Sequence, residues 1–87
     1  MEKKIEITIN RETVVDFDLV ENGKYTWLGT ASWSSYNKAW SIRRKDQGVH
    51  AAKFASVESV LSDAKNVIAR YFPSFSGLNI TVLDRRN

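Results

Sequence analysis

The segment VVDFDLVENGKYTWL, residues 14–28, decides how this chain folds. Its first half alternates apolar residues with carboxylates, which is the period of a strand with one buried face. Asn22-Gly23 follows, and this pair favours a type I′ turn because both central positions of that turn need positive φ. The segment is therefore predicted to form a β-hairpin with a two-residue turn.

The turn sets which residues share a face of the hairpin. A two-residue turn pairs Val20 with Tyr25 and Asp18 with Trp27, and directly opposed residues lie on the same face. The predicted apolar face, which would seat a helix, holds Val15, Phe17, Leu19 and Leu28. The predicted opposite face holds Asp16, Asp18, Val20, Tyr25 and Trp27.

The same alternation predicts further strands on both sides of this hairpin. The second strand of the hairpin extends over about 24–33, and the further strands are predicted at about 1–10, 39–44, 49–54 and 78–82. The first five strands follow one another through short turns, which indicates an antiparallel meander. Residues 84–87 are predicted to be a frayed tail.

A change of period marks one amphipathic helix at about 57–72. Its apolar positions recur at helical spacing and comprise Val57, Val60, Leu61, Ala64, Val67, Ile68, Tyr71 and Phe72. Ser56 is the predicted N-cap, and Pro73 ends the helix. The predicted fold class is α+β: one domain, residues 1–87, with an antiparallel meander of five to six strands, one helix packed on one face, and the order β(4-5)-α-β.

The period-two pattern of residues 25–33, continued into the second hairpin, would place polar residues on the core face. With a two-residue turn at Tyr36-Asn37, unbroken alternation would turn four polar residues toward the helix, and polar residues are unfavourable on a core face. These residues are Thr30, Ser32, Ser41 and Arg43. Either a β-bulge near Gly29 resets the faces or the second hairpin has an odd-numbered loop; the bulge is favoured, since glycine within a strand often marks one. The reset predicts that Trp40 and Ile42 enter the core and leaves Trp33 undecided.

The net charge of +3 is unevenly distributed along the chain. Residues 38–53 carry five basic side chains against one acid, a balance of +4, whereas the remainder has eight basic and nine acidic residues, a balance of −1. The basic side chains of this segment are Lys38, Arg43, Arg44, Lys45 and Lys53. Aromatic residues lie close by in sequence, among them Tyr25, Trp27 and Tyr36.

Composition argues against several classes of function. The chain has no cysteine and one histidine, His50, which excludes thiolate zinc sites and cysteine nucleophiles. Asp16 and Asp18 form one strand pair without a third ligand nearby in sequence, and no glycine-rich phosphate loop is present. We therefore expect a cytoplasmic protein that is not an enzyme and that has no cofactor, no metal and no membrane-spanning segment.

Two functional hypotheses remain. The first is a binding module for nucleic acid or a nucleoprotein complex, in which the five basic residues contact phosphates and Tyr25, Trp27 and Tyr36 stack on bases. The second is a protein–protein interaction factor, such as a small bacterial or phage accessory or inhibitor protein that binds a larger machine. An edge strand could also pair two copies into a homodimer.

Residues 39–64 resemble part of a known family. The run AWSIRRKDQGVHAAKFASVESVLSDA resembles the strand, turn, strand and helix of the three-stranded integrase arm-binding domains. Those domains lay their sheet in the DNA major groove, so the resemblance implies that Arg43 and Lys53 contact DNA. It covers about a third of the chain, and the extra strands on both sides depart from the family's pattern.

Overall fold

The computed structural model describes residues 2–86, so Met1 and Asn87, the ends of the first predicted strand and of the predicted tail, lie outside the described residues. Its elements in chain order are β1 (Lys3–Arg11), β2 (Val14–Glu21), β3 (Lys24–Ser34), β4 (Ala39–Arg44), β5 (Gly48–Ala52), α1 (Val57–Ser62), α2 (Ala64–Tyr71), a 3-10 helix (Pro73–Phe75) and β6 (Asn79–Asp84). The six strands form one sheet in the order β5-β4-β3-β2-β1-β6. The α+β class is confirmed.

The β2–β3 hairpin has the predicted turn. Asn22 and Gly23 adopt φ of 54° and 80°, and Val20 pairs with Tyr25 as the two-residue loop requires. The antiparallel meander of β1 to β5 is also confirmed.

A β-bulge in β3 resets the faces of the sheet. Trp27 pairs with Asp18 and Gly29 pairs with Phe17, so Leu28 is the extra residue. Gly29 lies beneath Phe72, and a Cβ at this position would come within 3.0 Å of the Phe72 ring. Beyond the bulge, Ile42 is fully buried and Trp40 is 6% exposed, which confirms that both enter the core.

The predicted single helix is wrong in one respect, because it breaks at Asp63 into α1 and α2. The Ser62-Asp63 pair weakens the helix here, since short polar side chains compete for backbone hydrogen bonds. Ser56 caps α1 as predicted, in a reciprocal arrangement with Ser59. The predicted apolar face still packs on the sheet, with its members buried or half-buried.

The sixth strand runs parallel to β1, not antiparallel to a neighbour as in the meander. β1, β3 and β5 all run in one direction, and the helical segment returns the chain to the end of the sheet where these strands begin. A strand that starts there must run parallel to them. The path from β5 at one edge to β6 at the other carries α1 and α2 over one face of the sheet, which closes the core there.

Residues 84–86, which belong to the tail that was predicted to fray, make specific contacts in the structure. The Arg85 amide donates to the Ile9 carbonyl at 2.8 Å. The Arg86 guanidinium contacts the carboxylates of Glu12, Glu58 and Asp84 at 3.0, 2.7 and 2.7 Å. The tail prediction failed because Ile9, Glu12 and Glu58 lie far away in sequence. Within the described residues, no helix is long and apolar enough to cross a membrane.

Candidate functional site

The sheet has one face that α1 and α2 do not cover, which we call the outer face. The strand register brings its polar and aromatic side chains into rows across the sheet: one row runs Glu6, Asp18, Trp27 and another runs Asp16, Thr30, Arg43, Val49. Tyr25 lies next to the first row, opposite Val20. The outer face thus collects residues from five strands on an open surface.

The two aromatic residues of this face are held in place by hydrogen bonds while their rings stay accessible. The Trp27 indole Nε1 donates to Thr30 Oγ1 at 2.8 Å, and the Tyr25 hydroxyl donates to Glu6 Oε2 at 3.2 Å. Trp27 is 39% exposed and Tyr25 is 61% exposed. Fixed rings lose little side-chain entropy when a partner packs against them.

Three carboxylates lie beside these rings. Glu6 is directly opposite Asp18, and Asp16 precedes Asp18 by two positions on the same face. Partial burial, together with the charges of Asp16 and Glu6, raises the pKa of Asp18. The charge of Glu6, with the hydrogen bond it accepts, raises the pKa of Tyr25. An incoming cation would relieve this crowding of negative charge.

Asp16 accepts hydrogen bonds from neighbouring side chains on both of its carboxylate oxygens. It accepts from Asn10 Nδ2 on one oxygen and from Thr30 Oγ1 on the other. Between residues 2 and 86, no group of three or more carboxylate or histidine side chains gathers closely enough to hold a metal ion.

Arg43 is the only one of the five predicted basic residues on the outer face. It lies opposite Thr30 and borders a shallow hollow of about 280 Å³. The hollow is lined by Trp27, Thr30, Ser32, Ser41, Arg43 and Val49. The outer face therefore carries the three carboxylates on β1 and β2, with Lys4 in the row of Tyr25 and Arg85 at the border of the hollow that these carboxylates line, and it carries Arg43 on β4.

Arg44 lies on the opposite, helix-covered face. Its Nη1 donates to the Tyr71 carbonyl at 3.1 Å, and its guanidinium lies 5.8 Å from the centroid of the Tyr71 ring. Its buried Nε has no partner among the described residues. Alternation within β4 separates Arg43 from Arg44, so these neighbours in sequence do not share a surface.

The remaining predicted residues lie at the ends of the sheet. Tyr36, which is 94% exposed, and Lys38 are in the β3–β4 turn, and Lys45 is in the β4–β5 turn. The six residues of β4 separate these two turns, a distance of roughly 20 Å at about 3.3 Å per residue. Lys53 follows β5, and its backbone amide donates to the Tyr71 hydroxyl at 3.0 Å. The structure brings Tyr25, Trp27 and Arg43 onto one face and disperses the other five.

Glu6 is a residue of this surface that sequence reasoning missed. A signal for it was present, because the polar alternation of β1 places Glu6 and Thr8 against Asp18 and Asp16 once the β1–β2 hairpin is in register. That register depends on a bulge between Ile9 and Arg11, which local pattern alone does not reveal.

Comparison of this chain with known protein families, curated proteins and solved structures finds no match. The resemblance of residues 39–64 to integrase arm-binding domains therefore gains no support from these comparisons.

Proposed function

We propose that this chain is a non-enzymatic binding module whose outer face engages a protein partner. The observation that carries the proposal is the pair of fixed, accessible rings, Tyr25 and Trp27, beside the carboxylates of Glu6 and Asp18. Aromatic anchors of this kind dominate the energetics of protein interfaces. The partner surface that fits them has an apolar patch for the rings and a lysine or arginine for the carboxylates.

The charge arrangement supports a basic partner. Asp18 is crowded by Asp16 and Glu6, and a cation placed among them favours its ionised form. Binding should then strengthen as the pH rises through the pKa of Asp18 in the free protein, because the complex holds the carboxylate deprotonated. Arg43, at the far side of the same face, suits an acidic side chain of the partner.

The nucleic-acid hypothesis stays a prediction, but the placement of the residues favours it less. Stacking on bases and contact with phosphates require rings and cations on one surface. Trp27 shares a hollow with Arg43. The rings of Tyr25 and Trp27 nevertheless adjoin the carboxylates of Glu6 and Asp18, which repel phosphate. Lys38 and Lys45 lie at opposite ends of β4, and Arg44 lies on the other face.

Affinity capture from cells that express the protein tests the proposal, with a matched pair of variants. Trp27 and Trp33 are 39% and 37% exposed, and they lie on opposite faces because Trp33 pairs with the core residue Trp40. Trp27→Ala should abolish capture of the partner, whereas Trp33→Ala should retain it. Circular dichroism establishes that both variants are folded.

Treatment of the lysate with nuclease separates the two hypotheses. A partner that survives nuclease and is lost with Trp27→Ala supports a protein interface on the outer face. Capture that nuclease removes, or that Arg43→Ala and Lys45→Ala weaken while Trp27→Ala does not, would support nucleic-acid binding instead.

A further inference from the structure

The sheet has an open edge at β6 (Asn79–Asp84). β6 pairs with β1 on one side only, and the Arg85 amide donates to the Ile9 carbonyl. Successive residues of a strand present their backbone groups to alternate sides, so Thr81 and Leu83 face β1 as Arg85 does. The N–H and C=O groups of Ile80, Val82 and Asp84 therefore point away from the sheet.

Apolar side chains accompany these unpaired backbone groups. Val82 is 42% exposed and Leu83 is 45% exposed. On the helix-covered side, an open groove of about 1080 Å³ separates α2 from β6. Its apolar lining includes Leu61, Ile68, Leu78, Ile80 and Val82. An added strand would satisfy the backbone groups and insert its own apolar side chains at this groove.

The edge lacks the devices that protect sheets from pairing. β6 contains no lysine, proline or glycine, and its one charged residue, Asp84, is already held by Arg86. The opposite edge, β5, differs because it begins at Gly48 and is flanked by Lys45 and Lys53. Lysines are a common protection of edge strands, so β5 is the better protected edge and β6 the pairing edge.

We propose that a second copy of this chain pairs antiparallel with β6, which joins two sheets into one of twelve strands, twice the six of one chain. The sequence of β6 is self-complementary about Thr81. With Thr81 opposite its own copy on the two-fold axis, Ile80 of one protomer lies opposite Val82 of its partner, and these two residues exchange backbone hydrogen bonds. The apolar pair faces the groove, and the two threonines meet on the outer side, where Thr–Thr pairs are favourable.

A second copy fits this edge better than a strand of unrelated sequence for two reasons. The two-fold arrangement brings no like charges together at its centre, because Ile80, Thr81 and Val82 are uncharged. It is also closed, since the same edge is used by both copies, so pairing ends at two chains.

Charge substitution at Thr81 tests this pairing. Thr81→Arg or Thr81→Glu each place two like charges at directly opposed positions about 4.5 Å apart between Cα atoms. Each variant alone should therefore be monomeric by analytical ultracentrifugation, while the wild-type chain should have twice the 9.9 kDa mass. Mixing the two variants places opposite charges on the axis and should restore the dimer. Ala51→Arg, an exposed position on β5, is the matched control and should remain dimeric.

Hydrogen exchange provides a second measurement that does not depend on any variant. The amides of Ile80 and Val82 should be protected in the dimer and should lose that protection on dilution. The Leu83 amide, which bonds to β1, should keep it. A monomeric wild-type chain would overturn the proposal and leave the edge to a strand of another protein. A dimer that Ala51→Arg disrupts, or that both Thr81 variants leave intact, would also overturn it.

Discussion

Substitution of Gly29 by alanine probes the bulge that sets the faces of the sheet. In an ordinary strand this change stabilises a protein by about 0.4–1 kcal/mol, because alanine restricts the unfolded chain. Here the new Cβ would lie 2.7 Å from the Arg43 carbonyl oxygen and 3.0 Å from Cζ of Phe72. Such overpacking costs about 1–3 kcal/mol. The structure therefore predicts a loss of stability where general propensity predicts a gain.

Thermal unfolding followed by circular dichroism measures this difference. A loss of about 1–3 kcal/mol lowers Tm by roughly 4–24 °C, since each kcal/mol shifts Tm by about 4–8 °C in a domain of this size. A double-mutant cycle with Phe72→Leu should recover only part of the loss, because the contact with the Arg43 backbone remains. A Gly29→Ala variant as stable as the wild type would refute the account of the bulge.

Three further predictions concern charge. Asp18→Asn should raise stability at neutral pH by about 0.2–1 kcal/mol, because it removes one of two carboxylates directly opposed across strands. Because the pKa of Asp18 is raised in the folded state, wild-type stability falls as the pH rises through that pKa. The free energies of unfolding of the wild type and Asp18→Asn, measured by urea titration, should therefore converge at lower pH. Arg86 lowers the pKa of Asp84 from 3.8 to about 2, so the Arg86–Asp84 ion pair stabilises the folded state above pH 3.8 and ceases to do so as the pH falls toward 2. Arg86→Met should remove this part of the acid sensitivity. A variant whose stability depends on acid pH as the wild type does would contradict this prediction. Titration with oligonucleotides at low salt should leave the tryptophan fluorescence of the protein unchanged, whereas saturable quenching with a steep salt dependence would favour nucleic-acid binding.

Local sequence pattern was sufficient for the hairpin and the core. The Asn22-Gly23 turn and alternation around it gave the correct pairing of Asp18 with Trp27, and the conflict of polar residues beyond Gly29 indicated a bulge. These features depend on neighbours within one hairpin. Burial of Trp40 and Ile42 followed from the same reasoning.

Features that depend on distant parts of the chain were beyond such patterns. The parallel direction of β6 follows from the path of the helical segment over the sheet. The ion pairs of Arg86 with Glu12 and Glu58 join residues that are far apart in sequence. The basic segment was read as one patch, yet period-two alternation in β4 already implies that Arg43 and Arg44 face opposite sides.

Site-specific photocrosslinking tests the central claim, that the outer face binds a protein, most directly. A photoreactive phenylalanine analogue is placed at Trp27, at Trp33 as the control on the other face, or at Lys45 in the basic segment. The account predicts a discrete protein adduct from position 27 that nuclease does not remove and that Asp18→Lys abolishes by reversing a charge at the interface. An adduct from position 33 or 45 without one from position 27, or an adduct that nuclease degrades, would contradict it.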